Sequence, residues 1–327
     1  MTRAIQITAY GGPEQMHLID REVGAPGPGE IRIRHHACGL NYIDVYQRTG
    51  LYGNPLPLLL GMEGAGIVEA VGDGVTHLQA GDRAAYASNP PGSYSEARVM
   101  PAKNVVRLPE DIAFDTAAGM MLKGLTAQYL LKKTLPVEGL QAGDYVLFHA
   151  AAGGVGLIAC QWARALGLQL IGTAGGAAKC ALALEHGAAH AIDYSREDFV
   201  ARVKEITGGK GVKVVYDSVG KDTFDKSLDC LRPFGLMACF GNASGPVPPY
   251  SPGNLGAKGS IYLTRQTLFT HIATRESTQK MADDLFKVVL GGQVKIRIDQ
   301  RYPLAEAATA HRELEARKTT GSTVLMP

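Results

Sequence analysis

The pattern of apolar and polar positions changes character near residue 125. Before that point, short apolar stretches such as EIRIRHHACGL and GAGIVEAVG are separated by GAPGPG, GDGVTHLQAGD and NPPGSY. Short runs bounded by Gly, Pro and Asn clusters read as strands joined by turns, which predicts a β-rich domain. After it, apolar runs alternate with amphipathic ones: YVLFHA then GVGLIACQWARALG, QLIGTA then AAKCALALEHG, AHAIDY then REDFVARVKEITGG, VKVVYDSV then KDTFDKSLDCLR, followed by LMACFG and SIYLTR. Strands covered on both faces lose their polar positions, whereas the helices covering them keep one polar side. This alternation predicts an α/β class with a doubly wound parallel sheet. The final stretch predicts two helices, STQKMADDLFKVVLGG and PLAEAATAHRELEARK, with VKIRIDQRY as a strand between them and Pro303 starting the second helix. Its periodicity alone leaves open which domain it packs on.

A length of 327 residues suits about two domains. With 46% hydrophobic and 20% charged residues the chain is neither disordered nor fibrous. A net charge of +2 makes no global case for a nucleic-acid or membrane partner. MTRAIQITAYGGPEQ lacks the apolar core of a secretory signal and no run reaches membrane-spanning length, so a cytoplasmic location is expected. The five cysteines, Cys38, Cys160, Cys180, Cys230 and Cys239, form no Cys-x-x-Cys pair and read as free, mostly core thiols.

Candidate chemistry enters with HAAAGGVG. Ala151-Ala152-Gly153-Gly154-Val155-Gly156 follows a predicted strand and opens a predicted helix, the context of a dinucleotide fingerprint. Gly153 permits backbone approach to a pyrophosphate, the first helical amides of Gly154 and Val155 face its charge, and Gly156 permits close helix-to-strand packing. Ala151 stands where the first glycine is usual, which is tolerable at negative φ. At the end of the second strand, in QLIGTAGGAAK, the acid that selects NAD by its ribose hydroxyls is missing. Thr173, Ala174 and Gly175 leave room for a 2′-phosphate, Lys179 supplies a cation and Tyr194 a hydroxyl, so NADPH is favoured; an ordinary solvated helix lysine is the alternative for Lys179.

With these elements in place, GDYVLFHAAAGGVGLIACQWAR resembles the signature of the quinone oxidoreductase and ζ-crystallin family, zinc-free members of the medium-chain dehydrogenase/reductase superfamily. AYGGPE, NYIDVYQRTGLY, GMEGAGIVEAVG, LKGLTAQYLL, VVYDSVG, CFGNASG and ARKTTG extend the likeness along the chain. The resemblance implies a GroES-like catalytic domain from residues 1–124 and 266–327, a Rossmann-type NADPH domain from 125–265, and an active site in the cleft between them. It also implies a homodimer formed through nucleotide-domain edge strands.

Zinc alcohol dehydrogenases of this superfamily place metal ligands where Asn41, Met62 and Leu122 stand here, and these cannot supply a Cys/His set. His35 and His36, as strand neighbours, face opposite sides. No metal is therefore expected. A quinone is already electron-poor, so the resemblance implies NADPH-dependent quinone reduction, with positioning as the protein's contribution. Asn41, Tyr46 and Tyr52 match the family's nicotinamide cleft, as a hydrogen-bonding amide, a donor to a quinone oxygen and an aromatic wall. Packing is the alternative for both tyrosines. Asp44 either orients neighbouring donors or caps the helical turn that follows. Further implied cofactor contacts are Lys123, Thr126, Ser218, Phe240, Gly241, Asn242, Leu263, Arg265 and Arg317; Arg317 equally suits a helix C-terminus. Glu63 is read as an internal polar anchor. Reduction of activated alkenes is the nearest alternative activity, and an RNA-binding or crystallin-like structural role is the alternative from another class, though no arginine-rich run or RNA motif supports it.

Overall fold

Along EIRIRHHACGL, Ile31, Ile33, His35 and Ala37 are buried while Arg34 and His36 are exposed, as a strand with one covered face requires. His35 Nδ1 lies 2.7 Å from the Ser95 carbonyl and Nε2 2.7 Å from the Tyr86 hydroxyl, whereas His36 stacks on Phe114 outside. The two histidines point apart, as strand neighbours must.

The computed structural model describes residues 1–134 and 139–327. It divides into two units, Met1–Leu125 with His271–Leu290 and Ile296–Pro327, and Thr126–Thr270 with Gly291–Lys295. In the first unit the strands run in the order Ile298–Pro303, Ser322–Met326, Glu30–Leu40, Glu63–Val71, Arg83–Ala87 and Val105–Arg107, with Ala97–Pro101 also pairing with Glu30–Leu40. The chain's final strand thus pairs antiparallel with Glu30–Leu40, Thr323 opposite Leu40. Ile31, Ile33, Val68, Ala84 and Met100 make the core beneath this sheet.

The second unit holds a six-stranded sheet in the order His190–Asp193, Gln169–Ala174, Tyr145–Phe148, Val212–Asp217, Leu231–Cys239 and Tyr262–Arg265, with every pairing parallel. Numbered along the chain this is 3-2-1-4-5-6, the dinucleotide-binding order, which reverses between Tyr145–Phe148 and Val212–Asp217. Ligands of such sheets sit beyond the strand C-termini at that reversal, because diverging crossover helices open a crevice there. The predicted Rossmann architecture is present.

Some elements depart from the sequence pattern. KDTFDKSLDCLR forms helix only over Phe224–Leu228, because Leu231 already pairs with Val212 in the parallel ladder. Pro303 ends a strand instead of starting a helix; a single 3₁₀ turn, Leu304–Glu306, intervenes before the Ala307–Glu315 helix. VKIRIDQRY becomes strand only at Ile298, since the Lys295 backbone is occupied by the Gln161 amide, which donates to its carbonyl at 3.0 Å and accepts its N–H at 2.8 Å.

Candidate functional site

In the second unit the first strand ends at Phe148 and the glycine loop follows. Ala150 adopts φ 56°, in the left-handed region, and Ala151 does not; the Ala151 N–H donates to the Thr173 carbonyl at 3.0 Å, tying loop to neighbouring strand. The Gly154–Ala165 helix starts after Gly153 with no side chain capping it and no acid in its first turn. Its leading amides have no intrahelical acceptors, so they are oriented for an anion. A Cβ on Gly156 would lie 2.5 Å from the carbonyl oxygens of both Ala150 and Ala151, so only glycine lets the loop fold this tightly over the helix. An uncapped, acid-free N-terminus under a loop that excludes side chains fits a pyrophosphate.

His149 holds the root of this loop. It is buried, with Nδ1 2.8 Å from Thr173 Oγ1 and Nε2 2.8 Å from Ser227 Oγ, and burial lowers its pKa. The Thr173 hydroxyl is therefore engaged inside the sheet layer. Next along, the Tyr194 hydroxyl lies over Gly175, where an added Cβ would meet it at 2.8 Å, and Lys179 is half-buried on the Ala177–Glu185 helix. Asp193, the acid nearest this strand end, spends its Oδ1 on the Gly176 N–H at 2.9 Å and on Ser195. These contacts hold its carboxyl below the usual range, the Ser195 hydroxyl contributing most.

Past the fourth and fifth strands lie Ser218 and Phe240-Gly241-Asn242. Phe240 N–H donates to the Asp217 carbonyl, and a Cβ on Gly241 would strike the Ser218 carbonyl oxygen at 2.5 Å, so Ser218 and Gly241 backbones touch. Leu263 and Arg265 stand on the edge strand, with Leu263 exposed and the Arg265 guanidinium donating to the Gln266 carbonyl at 2.9 Å. Thr126, the first residue of this unit, is buried.

In the first unit Asn41 and Leu122 both meet Glu63. Its carboxylate accepts from the Asn41 amide at 2.8 Å, the Leu122 N–H at 2.8 Å and the Lys123 ammonium at 3.1 Å. Met62 is engaged separately, its sulfur accepting from the Gln47 amide at 2.8 Å. Both Glu63 and Lys123 are buried, so this is a desolvated ion pair with its oxygens saturated. Among the described residues no group of three or more His, Cys, Asp and Glu side chains is gathered to hold a metal.

Asn41 precedes the Tyr42–Thr49 helix, and Asp44, three positions on, accepts the Asn41 backbone N–H at 2.9 Å. This is the back-reaching half of a capping box, so Asp44 caps the start of the Tyr42–Thr49 helix. That helix carries Tyr46, whose ring meets Tyr52 edge-on at 5.3 Å, and the Tyr52 N–H donates to the Tyr46 carbonyl. Asn41, Asp44, Glu63 and Lys123 are thereby brought together, with Tyr46 and Tyr52 on the same short segment. Arg317 lies just beyond the Ala307–Glu315 helix, exposed and at φ 58°.

The zinc-binding dehydrogenase family matches residues 154–287, and the alcohol dehydrogenase GroES-like domain family residues 27–110. A quinone oxidoreductase of Pseudomonas aeruginosa is 56% identical over 100% of both chains. The chain belongs to the quinone oxidoreductase family. Within this oxidoreductase family, an Escherichia coli quinone oxidoreductase solved in complex with NADPH covers 100% of both chains at 49% identity and a TM-score of 0.97. A 2-haloacrylate reductase of a Burkholderia species is 44% identical over 100% of this chain and 99% of its own.

Against this family background, the sequence pattern concealed several residues. Local pattern does not mark Tyr94, Arg48 and His311, yet the Tyr94 hydroxyl donates to Asp44 at 2.8 Å and touches His311. Nothing local marks them, since each lies far along the chain from the group it serves. The only available signal was a histidine and an arginine at positions where helical periodicity calls for core.

Proposed function

We propose that this chain reduces quinones with NADPH. The observation that carries the reading is the end-to-end likeness, at a TM-score of 0.97, to a quinone oxidoreductase solved with NADPH, on a chain whose own glycine loop fits a pyrophosphate. Bound NADPH would supply reducing equivalents, which an electron-poor quinone accepts without prior activation.

The chain's own work is binding and positioning. In this reading residues 125–265 hold the cofactor and residues 1–124 with 266–327 the acceptor. The Gly154 and Val155 amides receive the pyrophosphate, with Gly153 allowing close approach. Lys179 and Tyr194, beside Gly175, take the 2′-phosphate, while the Asp193 carboxylate is engaged by Gly176 and Ser195. Thr173 supports the loop from beneath through His149. Ser218, Phe240, Gly241 and Asn242 serve the crevice at the strand ends, and Lys123, Thr126, Leu263, Arg265 and Arg317 complete the cofactor contacts. Asn41 bonds cofactor or substrate, Tyr46 donates to a quinone oxygen, Tyr52 walls the ring, and Asp44 orients this segment.

Steady-state oxidation of NADPH and NADH with matched benzoquinones, naphthoquinones and enones tests the reading. Quinone turnover with NADPH preferred is expected, and Lys179→Ala should narrow that preference about tenfold, as loss of one charge-assisted phosphate contact implies. Enone turnover without quinone turnover would reverse the assignment in favour of activated alkenes, the reading that the 44% identity to a 2-haloacrylate reductase supports.

A homodimer is part of the proposal. Among the described residues the Tyr262–Arg265 strand pairs with one neighbour, Leu231–Cys239, and it carries exposed Tyr262 and Leu263, a sheet edge suited to pairing with a second copy. A cytoplasmic location accords with five unpaired cysteines. Sedimentation of the wild type against Leu263→Glu tests the edge, since a charge there should dissociate the pair.

A further inference from the structure

Asp44 is fully buried, and both donors that reach it fall on one oxygen. The Asn41 backbone N–H and the Tyr94 hydroxyl donate to Oδ2 at 2.9 and 2.8 Å, while Oδ1 has no hydrogen-bond partner among the described residues. Behind Tyr94, His311 Nε2 lies 3.2 Å from the hydroxyl oxygen, and behind that, Arg48 Nη1 lies 3.3 Å from His311 Nδ1. Arg48 is itself buried, with Nε donating to the Gly11 carbonyl at 3.1 Å and Nη2 paired with Glu315.

Donor chemistry orients the whole run. A guanidinium has only donors, so His311 Nδ1 must accept. Burial, with the Arg48 charge beside it, lowers the His311 pKa to about 3, so the ring is neutral and its one proton is on Nε2. That proton is donated to the Tyr94 oxygen, which leaves the Tyr94 hydroxyl proton for Asp44. Every hydrogen in the sequence Arg48, His311, Tyr94, Asp44 points towards the carboxylate. Such a run strengthens each bond in it and favours negative charge at its end.

We propose that Tyr94 and His311 are positioning residues of the reductase site: through this oriented run they hold Asp44 against the Asn41 N–H and so set the start of the helix that carries Tyr46. The proposal rests on the quinone reductase reading for its catalytic consequence, but not for the hydrogen bonds themselves. It links the Ala307–Glu315 helix near the end of the chain to residues near its beginning.

The groups facing Asp44 make the effect readable as a titration. Burial raises its pKa to about 7, the Asn41 and Tyr94 hydrogen bonds and the Lys123 charge pull it down, and Glu63 pushes it up. Cys38 also lies close, with its thiol kept neutral by burial, while Arg48 and His311 stand behind Tyr94. Removing the Tyr94 hydroxyl deletes one lowering contact and lets Asp44 hold its proton to higher pH.

The decisive experiment titrates Asp44 by carbon-13 NMR of cofactor-free protein labelled at aspartate carboxyls, with Asp44→Asn identifying the resonance. Tyr94→Phe should move the midpoint upward by about one pH unit, the share of one charge-assisted hydrogen bond. The pH at which kcat for quinone reduction reaches half its plateau should rise by the same amount. His311→Leu should shift both in the same direction, and His311→Gln, which keeps a donor, should restore much of the shift. Unmoved midpoints in folded Tyr94→Phe and His311→Leu would overturn the proposal. If Tyr94→Phe fails to fold, equal midpoints for His311→Leu and wild type do so. A wild type inactive on quinones would instead overturn the functional reading, whatever Asp44 does.

Discussion

Gly172 makes room for the methyl group of Ala151: a Cβ placed on Gly172 would lie 2.6 Å from the Ala151 Cβ. The loop carries alanine where the dinucleotide fingerprint usually has glycine, and the adjacent strand carries glycine opposite it. The substitution is thus compensated across the sheet. Gly172→Ala should overpack this contact and destabilise the protein by about 1–3 kcal/mol. Ala151→Gly in the same background should recover most of the loss, as denaturant unfolding of the single and double variants would reveal. Additive effects would show that the two positions do not compensate.

Ala150 occupies the left-handed region at φ 56° with an exposed side chain. A Cβ there costs roughly 1–2 kcal/mol, part of which glycine returns through its greater freedom in the unfolded chain. Ala150→Gly should therefore stabilise by about 0.5–1 kcal/mol, raising the melting midpoint by a few degrees. NADPH affinity, followed by fluorescence titration, should change little, since the amides proposed to receive the pyrophosphate lie further on.

The Lys123–Glu63 pair is buried, and the carboxylate has spent both oxygens on its neighbours. Lys123→Met should cost about 3–5 kcal/mol by stranding the Glu63 charge, whereas Lys123→Met with Glu63→Gln should cost much less. Urea unfolding of the set measures the coupling. Equal losses in the single and double variants would mean that the ion pair is not what holds this corner together.

Asp44 dictates a pH dependence of stability. Its folded pKa of about 7 lies above the model carboxyl value of 3.8, so the native state keeps a proton that the unfolded chain has released. Its contribution is fully present below the unfolded value and is lost as pH rises towards 7. His311, with a folded pKa of about 3, has the opposite sign and loses stability as pH falls below its ordinary 6.5. Relative to wild type, Asp44→Asn should gain stability steadily from pH 4 to 7, by a few kcal/mol overall. Free energies of unfolding across that range check it; a difference that is flat with pH would refute the assignment.

How much of this was readable beforehand follows from the range of the interactions. The glycine loop, the missing acid after the second strand and the opposed faces of His35 and His36 rest on neighbours within a few residues, so local pattern sufficed. The short helix at Phe224–Leu228 and the turn after Pro303 escaped it, because strand pairing with distant segments outcompeted local periodicity. Thr173 illustrates the limit at a site residue: its position at a strand end was evident, but only the fold turns its hydroxyl inward to His149.

Sequence alone sufficed for the alternation of strands and helices and for a glycine-rich turn between the first strand and its helix, since each depends on residue type and spacing. Tertiary structure decided what those residues do: it gathered Asn41, Leu122 and Lys123 on Glu63, set Gly172 against Ala151, and brought His311 to Tyr94 across 217 positions. Hydrogen bonds and steric contacts act over a few ångströms, whereas the residues they join are separated by tens of positions and, for Tyr94 and His311, by 217. Periodicity carries no record of which distant pair will meet.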